Sequence, residues 1–236
     1  SDNEDSYLII VPEASDPSAG KGILLVVADG VGGAVAGKVA SQTAVNIIRD
    51  VYYHSTETNT ALALIEAFQS ANRNIFLEAY QNKTLRGMAT TCTAAVLKEY
   101  AAIIVHIGDS RAYRFREDKL TQLTEDHTII NSLVKGGTVT REAARNHPLR
   151  NLILKAMGSH DKIDPDVYYV EIIEHDIIML CSDGLYSLVN DHEISDTVKS
   201  LPLIQAVSML IKLANERGGK DNITMLLAQH LSSCKE

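Results

Sequence analysis

The sequence predicts an α+β fold, in which antiparallel sheets are covered by paired helices. Two observations carry this reading. Apolar runs of strand length come in neighbouring sets joined by short polar turns, at Lys98-Glu99, Glu117-Asp118 and Glu174-His175-Asp176. Long segments with apolar residues at three- and four-residue spacing come side by side instead of alternating with single strands, which argues against a doubly wound parallel sheet. The chain has 236 residues, 45% hydrophobic and 22% charged, and can bury a core without a disulfide or structural metal. No repeat, low-complexity tract or linker divides it. One domain over residues 1–236 is expected.

Tyr7–Val11 reads as a short strand, and the Pro-, Gly-, Ser- and Asp-rich stretch after it as a turn. Ile23–Ala28 (ILLVVA) is apolar throughout, as a strand covered on both faces would be. After the glycines at 30, 32 and 33 a helix runs over about 36–53, with Ala44, Ile47, Ile48, Val51 and Tyr52 on one face. Asn59 or Thr60 caps a second helix carrying Leu62, Ile65, Phe68, Ala71 and Ile75. Thr90–Leu97, Ala101–Ile107 and Arg111–Arg116 read as an antiparallel meander. Residues 126–160 are less apolar and read as two short helices with a mobile segment. Val167–Ile173 and Ile177–Cys181 read as another hairpin. Asn190 with Glu193 forms a helix cap, Pro202 opens and Gly218 closes a last helix, and Ile223–Ala228 is the final strand.

Charge and cysteine content narrow the function. Thirty acidic against 22 basic residues give a net charge of −8. That balance argues against a polynucleotide binder and an anionic-lipid docker, both of which draw on basic surface. Cys92, Cys181 and Cys234 are far apart and odd in number, so they read as small thiols in a reducing compartment, with no spacing for zinc. No apolar run reaches membrane-spanning length, and no signal peptide is expected before the first strand.

One pattern recurs where strands end: an apolar run, a small residue, then Asp followed by Gly or Ser. It occurs at Asp29-Gly30, Asp109-Ser110 and Asp183-Gly184, while Asp221 and Asp5 stand where the last and first strands begin. Taken singly, an Asp-Gly is usually only a turn. Five carboxylates converging on one sheet edge would instead offer hard oxygen ligands for Mg²⁺ or Mn²⁺, and a neighbouring Gly frees a backbone carbonyl for the same use. Crowded carboxylates repel one another, and a pair of divalent cations would resolve the strain and activate a water for attack on phosphorus. Gly32–Lys38 (GGAVAGK) imitates a phosphate-binding loop but continues with Val39 in place of the required hydroxyl, so Gly37 is read as a packing residue. His127 and His147 are lone loop histidines, either of which could donate to a substrate, though a structural role is the commoner one.

The ordered series NEDS (3–6), ADGVGG (28–33), GMATT (87–91), GDSRAY (108–113), LTEDHT (123–128), HPLRN (147–151), SDGL (182–185) and DNIT (221–224) resembles the metal-dependent protein phosphatase 2C (PPM) family, bacterial type, over essentially the whole chain. The resemblance implies a four-layer α-β-β-α sandwich, two antiparallel sheets flanked by helix pairs. It implies a cytoplasmic protein serine/threonine phosphatase that uses two Mn²⁺ or Mg²⁺ ions without a phosphoenzyme and opposes a cognate Ser/Thr kinase in bacterial signal transduction. By motif position Asp29 would bridge two metals, the Gly30 carbonyl would bind the second, and Asp183 and Asp221 would complete the first. Asp109, with Asp183, would hold a third metal, and Asp5 would act behind the ligands on bound water. Residues about 124–147 would be a flap beside the substrate cleft.

One family feature lies beyond this sequence, and another is replaced. The phosphate-binding Arg precedes NEDS and would fall ahead of Ser1. Val31 and Ala34 stand where many members carry a His near the Asp-Gly pair. These departures favour the alternative of a pseudophosphatase that binds phosphoproteins or regulates a kinase. Phosphodiester hydrolysis is a third, weaker reading.

Overall fold

In a computed structural model, which describes residues 3–16, 18–144 and 147–231, the chain forms ten strands and seven α-helices among the described residues. Strands β1 (Asp5–Ile10), β2 (Ile23–Val31), β4 (Cys92–Lys98), β5 (Ala101–Ile107) and β8 (Asp166–Glu171) lie in that order in one antiparallel sheet, and the two-residue β3 (Ala89–Thr90) pairs with the end of β2. The second sheet runs β10 (Met225–Gln229), β9 (Ile177–Cys181), β6 (Arg111–Arg116), β7 (Lys119–Gln122). Cys234 lies outside the described residues.

The apolar run of β2 is explained by two covered faces. Leu24, Val26 and Ala28 pack against helices α1 (Ala34–His54) and α2 (Thr60–Gln81), while Leu25 and Val27 join the core between the sheets. In β9, Ile178 and Leu180 face that same inner core, and Ile177, Met179 and Cys181 face α6 (Asp191–Ser200) and α7 (Leu203–Glu216). Helix pair, sheet, sheet and helix pair form the four-layer α-β-β-α sandwich. Ala36, Ala40 and Ala44 are buried along α1, small side chains that let it lie close on β2. Asn59 caps α2 by accepting the Ala61 and Leu62 N–H groups, and Asn190 with Glu193 makes a reciprocal capping box on α6.

Two expected hairpins are sheet crossings instead. The meander ends at β5, because Gly108 takes φ +107° and turns the chain out of the first sheet, so that β6 pairs with β9 in the second. A Cβ on Gly108 would stand 2.5 Å from Thr91 Cβ, which leaves no room for another residue there. Likewise β8 pairs with the open edge of β5, and β9 lies between β6 and β10. All five β9 residues are buried, a demand that an edge partner like β8 could not meet. The turn at 174–176 is real, with Asp176 N–H bonded to Ile173 O, but it carries the chain between sheets. Asp176 is buried there and receives a fork from Arg116 at 2.8 and 2.6 Å. The expected strand Thr90–Leu97 is interrupted at Thr91, and β7 and the one-turn α5 (Asp183–Tyr186) were not foreseen. The 126–160 region holds α3 (Ile129–Lys135) and α4 (Arg141–Ala144).

Candidate metal centre

Strand periodicity aims the first two carboxylates. Leu25 and Val27 face the inner core, so Asp29 continues that face as β2 reaches the rim, and Asp5 of β1 lies directly opposite it in register. Gly30 faces α1 instead. A Cβ there would overlap the Gly37 carbonyl and stand 2.8 Å from Glu4 O; a Cβ on Gly37 would in turn meet Gly30 C and O at 2.9 Å. Gly37 is therefore a contact residue, which accounts for the phosphate-loop look of its segment. Asp29 is fixed by its own backbone: its N–H donates to Thr91 Oγ1 at 3.1 Å, and its carbonyl accepts from Thr91 N and Thr90 Oγ1, each at 2.9 Å.

The strands on the far side are tied to the same rim. Ser182, just past β9, donates to Asp5 Oδ2 at 2.7 Å and accepts the Thr224 N–H at 3.0 Å, while its own N–H reaches Thr224 O. Glu4 N–H donates to Asn222 Oδ1 at 2.8 Å. A Cβ on Gly184 would overlap Asn222 O, so the Ser182–Gly184 turn and the Asp221–Asn222 turn can touch only because residue 184 is glycine. Asp183 opens α5, and Asp221 lies exposed just before β10. Asp109 sits on the first sheet crossing and is 4% exposed. Its neighbour Ser110 shares a hydrogen bond with Thr91, and its own carbonyl accepts the Tyr186 hydroxyl at 3.0 Å.

The five carboxyls act on one another through their charges. Burial, then the charges of Asp5, Asp183, Asp109 and Asp221, drive the Asp29 carboxyl far above the usual carboxylate range. Asp183 is raised by burial and then by Asp221 and Asp5. Asp5 is raised by burial against hydrogen bonds from Thr224 and Ser182, and Asp109 is pushed up to about 7 by burial, Asp183 and Asp126, with Arg111 opposing. Asp5 Oδ1 and Asp183 Oδ1 are buried without a hydrogen-bond partner. Among the described residues no group of three or more Asp, Glu, His or Cys side chains stands close enough to hold a metal ion as placed here. The donors at the rim are all carboxylate or carbonyl oxygens: Asp109 is buried, Asp5, Asp29 and Asp183 are half-buried and Asp221 is exposed, and two of the oxygens have no hydrogen-bond partner. That set fits a hard divalent cation and nothing softer.

The loop histidines are structural. His127 Nδ1 accepts the Gly108 N–H at 3.1 Å and its Nε2 lies 3.2 Å from Asp166, while His147 Nδ1 accepts the Leu149 N–H at 3.2 Å. Sequence reasoning missed Ser182, Thr91, Arg111 and Tyr186. Arg111 donates a fork to Asp126 and stacks 3.5 Å over the Tyr186 ring. The only signal for that pair was its place inside GDSRAY and directly after SDGL.

A four-layer sandwich that gathers five acidic side chains where its strands end defines a class of its own. The chain belongs to the Protein phosphatase 2C family, whose model matches residues 3–228. It is 38% identical to the serine/threonine phosphatase Stp of Listeria welshimeri over 232 residues, covering 96% of this chain and 90% of that one. It is 37% identical to the protein phosphatase PhpP of Streptococcus pneumoniae, covering 86% and 84%. Among solved structures it superposes on the Mycobacterium tuberculosis phosphatase PstP/Ppp with TM-score 0.87, 34% identity and 98% and 94% coverage. The PstP catalytic domain in complex with two manganese ions gives TM-score 0.84 at 33% identity, covering 98% and 93%.

Proposed function

We propose that the chain hydrolyses phosphoserine and phosphothreonine monoesters in proteins with a pair of Mn²⁺ or Mg²⁺ ions. The observation that carries this reading is the meeting of Asp5, Asp29, Asp109, Asp183 and Asp221 at one rim, in a chain of this family. Asp29 would bridge the two ions, with the Gly30 carbonyl on one and Asp183 and Asp221 on the other; Asp109 and Asp183 would hold a third. When bound, the ions offset the crowded negative charge and supply a water acidic enough near neutral pH to attack phosphorus in line. Asp5, fixed by the Ser182 hydroxyl, would orient water beside them. Thr91 and Ser182 keep the carboxylates in place through backbone and hydroxyl bonds that need no ion.

The chain would act as one catalytic unit, with residues 124–147 as a flap beside the cleft; Arg145 and Asn146 lie outside the described residues. We place it in the cytoplasm opposite a Ser/Thr kinase. The free, buried thiols of Cys92 and Cys181 suit a reducing compartment, and no helix among the described residues is long and apolar enough to cross a membrane. A binding module without turnover is the weaker reading, since every carboxylate of the ligand set is present. The test is phosphate release from a phosphothreonine peptide. Release should require Mn²⁺ or Mg²⁺ and stop in EDTA and in Asp183→Ala; no release at saturating Mn²⁺ would overturn the reading in favour of the binding module.

A further inference from the structure

Asp109 is held by a closed ring of contacts. Its carbonyl accepts the Tyr186 hydroxyl. The Tyr186 ring is covered by the Arg111 guanidinium, whose Nε and Nη2 donate to Asp126 at 2.9 and 2.7 Å and whose Nη1 donates to the Tyr113 hydroxyl at 2.9 Å. The next residue, His127, closes the ring onto the residue before Asp109: its N–H donates to Gly108 O at 2.7 Å, and its Nδ1 accepts the Gly108 N–H. The side chains of Arg111 and Asp126 are 19% and 14% exposed, so water screens this pair poorly.

We propose that Arg111 and Tyr186 are positioning residues for Asp109, registering its loop against the base of the 124–147 segment. The proposal rests on the hydrolase reading above. A fork and a stacked plane fix orientation as well as charge, and a lysine ammonium offers neither. Tyr186 also belongs to the helical turn that Asp183 opens, so the ring sets the spacing between two of the carboxylates. Displacement of Asp109 would weaken cation binding and turnover while leaving the affinity for a small phosphate monoester unchanged.

The test uses the full chain with Mn²⁺ and p-nitrophenyl phosphate. Arg111→Lys and Tyr186→Phe are compared with wild type for kcat, KM and the Mn²⁺ activation midpoint. Amide hydrogen exchange at Gly108 and His127 is followed in the metal-free protein. Arg217→Lys, in the exposed fork with Glu193, controls for loss of an arginine fork as such. Both ring variants should stay folded, lose kcat roughly 10- to 100-fold with KM held, raise the Mn²⁺ midpoint and exchange faster at Gly108 and His127. Tyr186→Phe keeps the stacked ring and is the variant least exposed to misfolding. Wild-type kcat, midpoint and exchange in a folded Tyr186→Phe would overturn the proposal, as would a kcat loss without faster exchange. Failure of the wild type to hydrolyse the ester would count against the hydrolase reading alone, and exchange would still decide whether the ring holds the Asp109 loop.

Discussion

Replacing Gly30 by alanine adds one methyl group where two backbones meet. The new Cβ would overlap Gly37 C and O and stand 2.8 Å from Glu4 O. Non-bonded carbon contacts are comfortable at about 3.5–4 Å, so the first turn of α1 must back away from β2 by about 1 Å. None of these neighbours is a flexible side-chain end, so the strain cannot be shed by a rotamer change. Overpacking of this kind costs roughly 1–3 kcal/mol. Gly30 is bonded directly to Asp29, and a shift of that size at a reacting geometry costs on the order of 100-fold in rate. The assay pairs a thermal melt with Mn²⁺-dependent hydrolysis of p-nitrophenyl phosphate. Gly30→Ala should melt lower and lose about two orders of magnitude in kcat. Gly20→Ala, where nothing lies within 4 Å of the added methyl, should change neither. Full activity and a native melting temperature in Gly30→Ala would refute the claim that the closeness of α1 and β2 sets the Asp29 geometry.

Other perturbations separate stability from chemistry. Asp29→Asn removes one of five crowded carboxylates, so in EDTA it should stabilise the protein by about 0.5–2 kcal/mol in a denaturant titration while abolishing hydrolysis. Burial alone would raise the Asp176 carboxyl, but the Arg116 fork and the Ile173 N–H hold it below the ordinary carboxylate range. Its stabilising effect is therefore fully present above about pH 4, the unfolded value, and fades as pH falls through the lower folded one. Asp176→Asn should cost about 1–3 kcal/mol at pH 7, a gap that narrows in unfolding curves run at progressively lower pH. Leu180→Ala empties a fully buried position between the sheets and should cost about 2–5 kcal/mol by denaturant unfolding, with kcat near wild type while the protein stays folded.

The elements most legible in the sequence were those with local causes. Asn190 and Glu193 sit three apart and cap one another; Ile23–Ala28 is apolar throughout because both of its faces are covered; the Asp-Gly pairs follow strands that end at the rim. Sheet membership was not legible. A short polar turn looks alike whether the next strand pairs with the previous one or crosses to the other sheet, so the local pattern does not assign β6, β8 and β9 to their partners. For the site, Asp5, Asp29, Asp109, Asp183 and Asp221 were named from their place at strand ends. The groups that hold them were not, because their bonds span distances that no local pattern encodes: Ser182 to Asp5 and Tyr186 to Asp109 link residues 177 and 77 apart.

The account depends on Asp29, Asp183 and Asp221 sharing hard cations. Anomalous scattering at the manganese edge, from crystals of the protein grown with Mn²⁺, addresses this without reference to turnover. Two peaks, both in contact with the Asp29 carboxylate and one also with Asp183 and Asp221, are predicted. A map with no peak among these three side chains, at Mn²⁺ concentrations that saturate activation, would contradict it.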